Sequence, residues 1–193
     1  MADVVFPTVF PRLETERLVL RQLATTDASA LFGILSDADT MTYMDTPPMS
    51  DVGAAEALIA RQAEAFVAGT GVRWAITLRG DDRVIGTFSL FRIDRESRRA
   101  EVGYVLDRGH WGRGYNHEAA TRVLEYAFEE LDLNRLEAEL DPENVASAKA
   151  AHRLGFVDEG LQRERWIVAG KVSDSLLVGL LRAEWDTRPP GES

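Results

Sequence analysis

The chain has 193 residues, of which 45% are hydrophobic and 28% charged, a balance that predicts one ordinary globular domain. Its 22 Lys and Arg stand against 32 Asp and Glu, and this net charge of −10 argues against binding to the phosphate backbone of nucleic acid. The same charge suits a cationic substrate, although a solvated acidic surface explains it equally well. The absence of cysteine excludes disulfides, thiolate metal sites and a cysteine nucleophile, and it favours a reducing, cytoplasmic location.

Residues 1–11 are predicted to be neither an export signal nor a membrane span. Asp3 stands where a signal peptide would be basic, and prolines interrupt the short apolar run that follows it. We therefore expect no membrane association. The predicted organisation is an N-terminal extension at residues 1–12, a single domain at 13–185 and a flexible tail at 186–193.

The first half of the chain alternates between strand and helix patterns. Residues 18–23 predict a first strand, and helical spacing follows the capping run Thr25-Thr26-Asp27. Ser50 is the expected cap of a second helix, which Gly69 would end. Three consecutive strands are then predicted at residues 74–78, 84–91 and 100–106, and their short connections indicate an antiparallel meander.

The second half begins with the clearest helix, whose apolar face runs from Ala119 to Leu131. A strand at 136–140, a short helix at 147–154 and two final strands at 163–168 and 175–181 complete the pattern. The sum predicts an α+β fold, with a mixed, mainly antiparallel, twisted sheet flanked by helices.

A glycine-rich turn between a strand and the clearest helix is the strongest chemical signal. Gly112 and Gly114 let the backbone approach an anion, and the first N–H groups of the helix lack internal partners. The pair predicts a pyrophosphate site to which Arg113 adds charge, although glycines also serve turn geometry alone. A dinucleotide fingerprint would need a third glycine where His117 stands, and the Gly-Lys-Ser/Thr of a Walker loop is absent.

This turn resembles the acetyl-CoA motif of the GNAT superfamily, with Gly114 as its central glycine. Further stretches resemble the RimJ/RimL-type acetyltransferases: residues 14–21, 101–104, Asn144-x-x-Ser147, 153–160 and Asp174. The resemblance spans residues 13–185. It implies a splayed strand pair that binds acetyl-CoA as co-substrate, a primary amine as the second substrate and no metal. Dimers occur in this branch, and the sequence leaves open whether this chain forms a homodimer.

The sequence departs from the superfamily pattern in three places. Trp111 replaces the initial Gln or Arg of the motif, as is common in this branch, and Asn116 stands where Gly or Ala is usual. Ala151 occupies the position of a tyrosine that protonates the leaving thiolate in many relatives. The usual acid is therefore missing.

The resemblance assigns roles residue by residue. The residues implied in cofactor binding are Val105, Leu106, Trp111, Gly112, Arg113, Gly114, Tyr115, Asn116, Asn144 and Ser147. Glu101 is the candidate base, with a salt-bridged carboxylate as the alternative. Ser147 would donate a hydrogen bond to the departing sulfur or cap a helix, and Asn144 would bond the pantetheine arm or form a turn beside Pro142.

Three functions remain open from the sequence. The leading one is acetylation of a protein or peptide α-amine. The second is acetylation of a small amine such as an aminoglycoside, a polyamine or an amino-acid derivative. The third is a non-catalytic module that binds acyl-CoA, which the missing tyrosine makes more plausible.

Overall fold

A computed structural model describes residues 6–187 of the chain. This part contains eight strands: β1 (Leu13–Glu14), β2 (Leu18–Gln22), β3 (Val72–Leu78), β4 (Asp81–Asp94), β5 (Arg99–Leu106), β6 (Arg135–Leu140), β7 (Val157–Val168) and β8 (Lys171–Leu181). Its α-helices are α1 (Ala28–Leu35), α2 (Val52–Ala68), α3 (Tyr115–Glu125), α4 (Val145–Arg153) and α5 (Arg182–Asp186). The strands form one sheet in the order β1-β2-β3-β4-β5-β6-β8-β7, and only the β5–β6 pair is parallel. The predicted α+β fold is confirmed.

Alternating side chains give the sheet two apolar faces, and helices cover both. The face that we call the α3 face buries the large side chains of Trp74, Phe88 and Phe128 together with the apolar stripe of α3. The opposite face, which we call the α1–α2 face, buries a smaller cluster that includes Leu31 and Ile59. A ligand on one face is therefore separated by the sheet from a ligand on the other.

The sheet opens between β5 and β6. These strands pair over three residues only, from Arg99 with Arg135 to Glu101 with Glu137. β5 then continues to Leu106 in register with β4, while β6 continues in register with β8. Beyond Glu101 and Glu137 neither strand hydrogen-bonds to the other. This is the splayed strand pair that the resemblance implied, and we call it the β5–β6 opening.

Two helix boundaries differ from the sequence-based expectation because of local hydrogen bonds. Asp51, and not Ser50, caps α2 by accepting a hydrogen bond from the Ala54 N–H at 3.0 Å. Gly69 ends this helix as predicted, with φ at 68°. The α3 helix gives way after Glu125 to a π-helical turn, so it is shorter as an α-helix than its apolar stripe suggests.

The last two strands are longer than predicted, because β7 and β8 form a hairpin that begins well before residue 163 and closes at the turn after Val168. Near the chain's start, the rings of Phe6 and Phe10 pack against Phe66 at centroid distances of 5.4 and 5.0 Å. The predicted division into extension, domain and tail stays a prediction. Residues 1–5 and 188–193 lie outside the described residues.

Candidate active site at the β5–β6 opening

The glycine-rich turn leads directly into α3. Gly112 and Gly114 have φ values of 71° and 80°, which side-chain-bearing residues rarely adopt. Gly114 precedes the first helical residue, and its carbonyl accepts the N–H of Glu118 at 3.1 Å. The N–H groups before Glu118 have no preceding helical carbonyl to bond, and Gly114 offers no side chain to cap them. The start of α3 therefore presents backbone donors and the positive end of the helix dipole.

Arg17 and Glu118 hold this turn against the first hairpin of the sheet. The Glu118 carboxylate accepts hydrogen bonds from Thr15 Oγ1 at 2.5 Å, from the Arg17 N–H at 2.8 Å and from Arg17 Nε at 2.6 Å. The Arg17 guanidinium also donates to the Arg113 carbonyl and lies over the Tyr115 ring. Burial opposes ionisation of Glu118, but the hydrogen bonds from Thr15 and Arg17 outweigh it and lower the pKa of this carboxyl. Glu118 therefore fixes the turn as a carboxylate.

Two further residues of the turn, Trp111 and Arg113, are exposed. The Arg113 side chain makes no hydrogen bond or ion pair within residues 6–187, and its residue is exposed. Trp111 donates its indole N–H to the Leu106 carbonyl at 2.7 Å while about half of the residue remains exposed. Trp111 thereby ties the turn to the end of β5.

The register of β5 determines which backbone groups face the opening. The Asp107 N–H donates to the Ile85 carbonyl at 2.8 Å, and hydrogen-bonded positions alternate along an antiparallel pair. Val105, two residues earlier, therefore directs its N–H and carbonyl toward β4. Tyr104 and Leu106 direct theirs toward the opening. The sequence predicts that the backbone of Val105 binds the cofactor, but in the structure its neighbours Tyr104 and Leu106 present their backbone groups to the opening. The sequence alone does not reveal which backbone groups of β5 pair with β4.

A chain of polar side chains crosses the opening on the α3 face. The hydroxyls of Tyr104 on β5 and Ser147 on α4 lie 3.0 Å apart, and both residues are at least partly buried. The side chain of Asn116, in the first turn of α3, is a further polar group beside Tyr104. Burial raises the pKa of Tyr104 despite these polar neighbours, so its hydroxyl keeps its proton at neutral pH. The buried Oδ1 of Asn116 has no partner among residues 6–187.

The cap of α4 separates the roles of Asn144 and Ser147. Asn144 Oδ1 accepts the Ser147 N–H at 3.0 Å, so Asn144 is the residue that caps the helix. The alternative of Ser147 as the cap is wrong, because its hydroxyl is directed to Tyr104 instead. The amide NH₂ of Asn144 is not used by the cap.

Glu101 is the last residue of β5 that pairs with β6, and it is ion-paired. Arg92 Nη1 lies 2.9 Å from both of its carboxylate oxygens. The Glu101 side chain is 14% exposed, against 57% for Arg92. This is the salt-bridged alternative considered from the sequence.

Sequence reasoning missed two residues of this site. Tyr104 has no role in the sequence analysis, because a tyrosine on a strand next to Gly103 gives no signal of a partner 43 residues away. Arg17 was part of a recognised motif without a role. Its spacing from Glu118 is 101 residues, and no local pattern predicts a contact at that separation.

Histidines take no part in a metal site in the described chain. His110 and His152 hydrogen-bond Asp107 and Asp158 at 2.8 and 2.6 Å. Among residues 6–187, no group of three or more histidine and acidic side chains could hold a metal ion. None of the helices described is long and apolar enough to span a membrane.

Comparison with known proteins identifies the same family as the motifs. Residues 17–157 match the family model described as the acetyltransferase (GNAT) domain. The chain is 39% identical over 173 residues to the uncharacterized N-acetyltransferase p20 of Bacillus licheniformis, covering 90% of this chain and 97% of that protein. It is 35% identical over 106 residues to YdaF of Bacillus subtilis, named as a candidate ribosomal N-acetyltransferase, covering 55% of this chain and 58% of that protein.

A solved structure shares the fold across most of the chain. RimJ of Mycobacterium smegmatis, solved in complex with CoA-disulfide, is 23% identical, and the match covers 90% of this chain and 87% of that one with a TM-score of 0.80. Members of the matched family use acetyl-CoA to acetylate an amine. The chain belongs to the GNAT family of N-acetyltransferases.

Proposed function

We propose that this N-acetyltransferase transfers the acetyl group of acetyl-CoA to the α-amine at the N-terminus of a protein or peptide. The observation that carries the proposal is the β5–β6 opening. The uncapped start of α3 lies at this opening, and the hydroxyls of Tyr104 and Ser147 span it. An anion site beside a buried hydroxyl pair is what a thioester with a diphosphate tail requires.

The turn before α3 fits a diphosphate. A Cβ atom built on Gly112 would have no neighbour within 4 Å, and one built on Gly114 would approach only the Arg17 side chain, at 3.3 Å. The space beside the free N–H groups is thus open. Arg113 supplies a positive charge that no carboxylate in residues 6–187 neutralises, and Tyr115 and Asn116 contribute their N–H groups.

The pantetheine arm would lie along the open edge of β5. The backbone groups of Tyr104 and the N–H of Leu106 face the opening, and the NH₂ of Asn144 can donate to a pantetheine carbonyl. An N–H on this edge would stabilise the oxyanion that forms when the amine attacks the thioester. Loss of such a donor lowers the rate by roughly 10²–10³ in other enzymes.

Ser147 takes the part of the missing tyrosine acid. Tyr104 can donate its proton to Ser147 Oγ, which lies 3.0 Å from its hydroxyl. With that acceptor position filled, the Ser147 hydrogen is directed away from Tyr104 and toward the departing sulfur. A thiol with a pKa of about 8.5 is a fair leaving group, so a hydrogen bond to the thiolate suffices.

The ionisation of the acceptor favours an α-amine. Glu101, the candidate base, is ion-paired with Arg92, and an amine that is partly neutral by itself depends least on a base. An α-amine has a pKa of about 7.7–8.0, so roughly a tenth of it is neutral at pH 7 without any base. A lysine amine with a pKa of about 10.4 is neutral in less than about a thousandth of molecules. The name of YdaF, which refers to the ribosome, points in the same direction.

The test is acetyl-CoA consumption over a panel of amines, followed by detection of the released thiol. Peptides with a free N-terminus are compared with the same peptides carrying a blocked N-terminus and a free lysine. We expect release of CoA with the first set only. Turnover confined to aminoglycosides or polyamines would support the small-amine alternative, and tight acetyl-CoA binding without any release would support the non-catalytic one.

A further inference from the structure

The ion pair between Glu101 and Arg92 lies at the base of the β5–β6 opening. Glu101 is opposite Phe91 on β4 and Glu137 on β6, and the opening begins at the next residue of β5. Val105 is on the same face of β5 as Glu101, because alternate residues of a strand share a face, and it is buried in the cluster of the α1–α2 face. The Glu101 side chain therefore belongs to the α1–α2 face of the sheet.

This face is the open side of the candidate active site. On the opposite face, the Tyr104–Ser147 hydroxyl pair and the start of α3 border the opening. On the α1–α2 face, α1 packs against β4 and α2 against β3, so an acceptor approaches the thioester from this side and passes the ion pair. Glu101 and Tyr104 are three residues apart, about 10 Å along β5. A hydrogen bond of about 2.9 Å and an attack distance of about 3 to 3.5 Å cover more than half of that length.

Arg92 uses only one of its three guanidinium nitrogens in this ion pair. Its Nη1 lies 2.9 Å from both carboxylate oxygens of Glu101, while Nε and Nη2 make no hydrogen bond or ion pair within residues 6–187. Arg21 on β2 is different, since Nη1 and Nη2 donate to Asp27 and Nε donates to Asp82. The Arg92 side chain is exposed, so its unused N–H groups are accessible to a ligand.

The backbone fixes the place of the Arg92 side chain. Arg92 has a φ of 49°, which residues with a side chain rarely adopt, and it lies in a break of the β4–β5 pairing directly after Phe91. Its guanidinium carbon is 5.9 Å from the centre of the Phe91 ring, and a Cβ built on Gly103 would lie 3.2 Å from the same ring. The ion pair is thus beside the stretch of β5 that borders the opening. A strained bulge that redirects one side chain is a common feature of functional sites.

We propose that Glu101 and Arg92 together recognise the first residue of the acceptor. Glu101 accepts a hydrogen bond from the α-amine, and an unused N–H of Arg92 donates to the carbonyl oxygen of the same residue. The inference rests on the proposed transfer to an α-amine and states how that amine is selected. The amine and the carbonyl of an N-terminal residue share one Cα atom, so their partners must be adjacent, as the two members of an ion pair are. A lysine side chain and a polyamine have no carbonyl beside the amine.

Leucinamide and isoamylamine are the matched acceptors, because they differ only in the carboxamide beside the amine. Their amines ionise differently, so the quantity to compare between proteins at one pH is the ratio of their kcat/KM values, in which that difference cancels. Arg92→Met should lower this ratio about 10- to 100-fold, the effect of a lost hydrogen bond to a charged group, by raising the KM for leucinamide. An unchanged ratio, which includes an equal loss with both amines, would overturn the proposal.

Further variants separate the N–H groups of Arg92 from its charge. Arg92→Lys keeps a positive charge beside Glu101 but lacks the planar set of donors, so the ratio should stay low. Full recovery of the ratio in this variant would contradict the proposal. Arg83→Met, at an exposed arginine of the same strand, is the control and should keep the wild-type ratio. Thermal melting shows whether each variant is folded.

A binding measurement makes the two proposals fail separately. Leucinamide and isoamylamine are titrated calorimetrically into the CoA-saturated wild type and into the CoA-saturated Arg92→Met variant. A preference for leucinamide that the substitution removes would support the recognition by Glu101 and Arg92 even if no amine were acetylated. Binding of leucinamide no tighter than that of isoamylamine, or a preference that survives the substitution, would reject this recognition. Acetylation of peptide N-termini in the same preparation would then leave the proposed function standing.

Discussion

Two helices begin at the β5–β6 opening, and they begin differently. α4 starts at Asn144, whose side chain bonds the Ser147 N–H in its first turn. α3 starts at Gly114, which has no side chain and a positive φ. The first N–H groups of α4 thus have a side-chain cap, whereas those of α3 have none. In the proposed function, the diphosphate of acetyl-CoA accepts hydrogen bonds from the N–H groups that the start of α3 leaves open.

The anchoring of the two helix starts differs in the same sense. The cap of α4 comes from three residues away, whereas the first turn of α3 is held by Thr15 and Arg17 through Glu118, about a hundred residues away in sequence. A local cap uses up a donor of its own helix. The long-range anchor of α3 instead binds a side chain and leaves the first N–H groups free.

The largest expected effect comes from closing the open start. Gly114→Glu should weaken acetyl-CoA binding at least about 100-fold, because a carboxylate would replace attraction of the diphosphate with repulsion and remove hydrogen bonds worth about 1.5–3 kcal/mol each. Gly114→Ala is the matched control, since it introduces the same strain at a φ of 80° without the charge. Calorimetric titration measures both. Normal affinity in the Glu variant would exclude the start of α3 as the diphosphate site.

The next effect concerns the side chain that the α4 cap leaves available. Ser147→Ala should lower kcat about 10- to 100-fold with little change in the KM for acetyl-CoA, because a hydrogen bond to the thiolate is lost in the transition state. The cap is preserved, since Asn144 bonds only the backbone N–H of residue 147. Steady-state kinetics give the split between kcat and KM. An unchanged kcat would remove Ser147 from the mechanism.

Tyr104→Phe tests whether the hydroxyl chain orients Ser147. A neutral hydrogen bond 3.0 Å long is lost while the stacking on Phe88 is kept, so we expect kcat to fall about 2- to 10-fold. In the Ser147→Ala background the same substitution should have almost no further effect on kcat. Independent, additive losses would mean that Tyr104 acts by another route, and thermal melting shows whether the fold is intact.

Glu118→Gln weakens the long-range anchor of α3 and should cost about 1–2 kcal/mol of unfolding free energy, a modest value because Arg17 is 45% exposed on its side chain. The pKa of Glu118 is lowered in the folded state, so its contribution is present above the usual 4.5 and is lost as pH falls through the folded value. Urea unfolding at several pH values should show the two proteins converging below pH 4.5. A constant difference would contradict the ionic anchor.

What the sequence could predict follows from the range of each interaction. The elements and the Gly112–Gly114 turn are local, so periodicity and motif were enough to find them. The resemblance supplied the splay between β5 and β6, which depends on strands more than 30 residues apart. The contacts of Arg17 with Glu118 and of Tyr104 with Ser147 join segments that are distant in sequence. No local sequence pattern predicts such contacts. The sequence also did not reveal that Arg92 is the ion-pair partner of Glu101. Arg92 lies where β4 bends, with a positive φ, and the sequence does not predict this bend.

The smallest expected effect is on the cap of α4. Asn144→Ala removes the side chain that bonds the Ser147 N–H, which should cost about 1 kcal/mol of unfolding free energy, whereas Asn144→Asp keeps the cap and should be nearly neutral. The two variants differ in a second respect, since only Asn can donate to pantetheine. If Asn144 has both roles, the Asp variant is as stable as the wild type yet has a higher KM for acetyl-CoA. A normal KM in that variant would confine Asn144 to capping, and the opening would then bind its ligand through α3 and β5 without the side chain that begins α4.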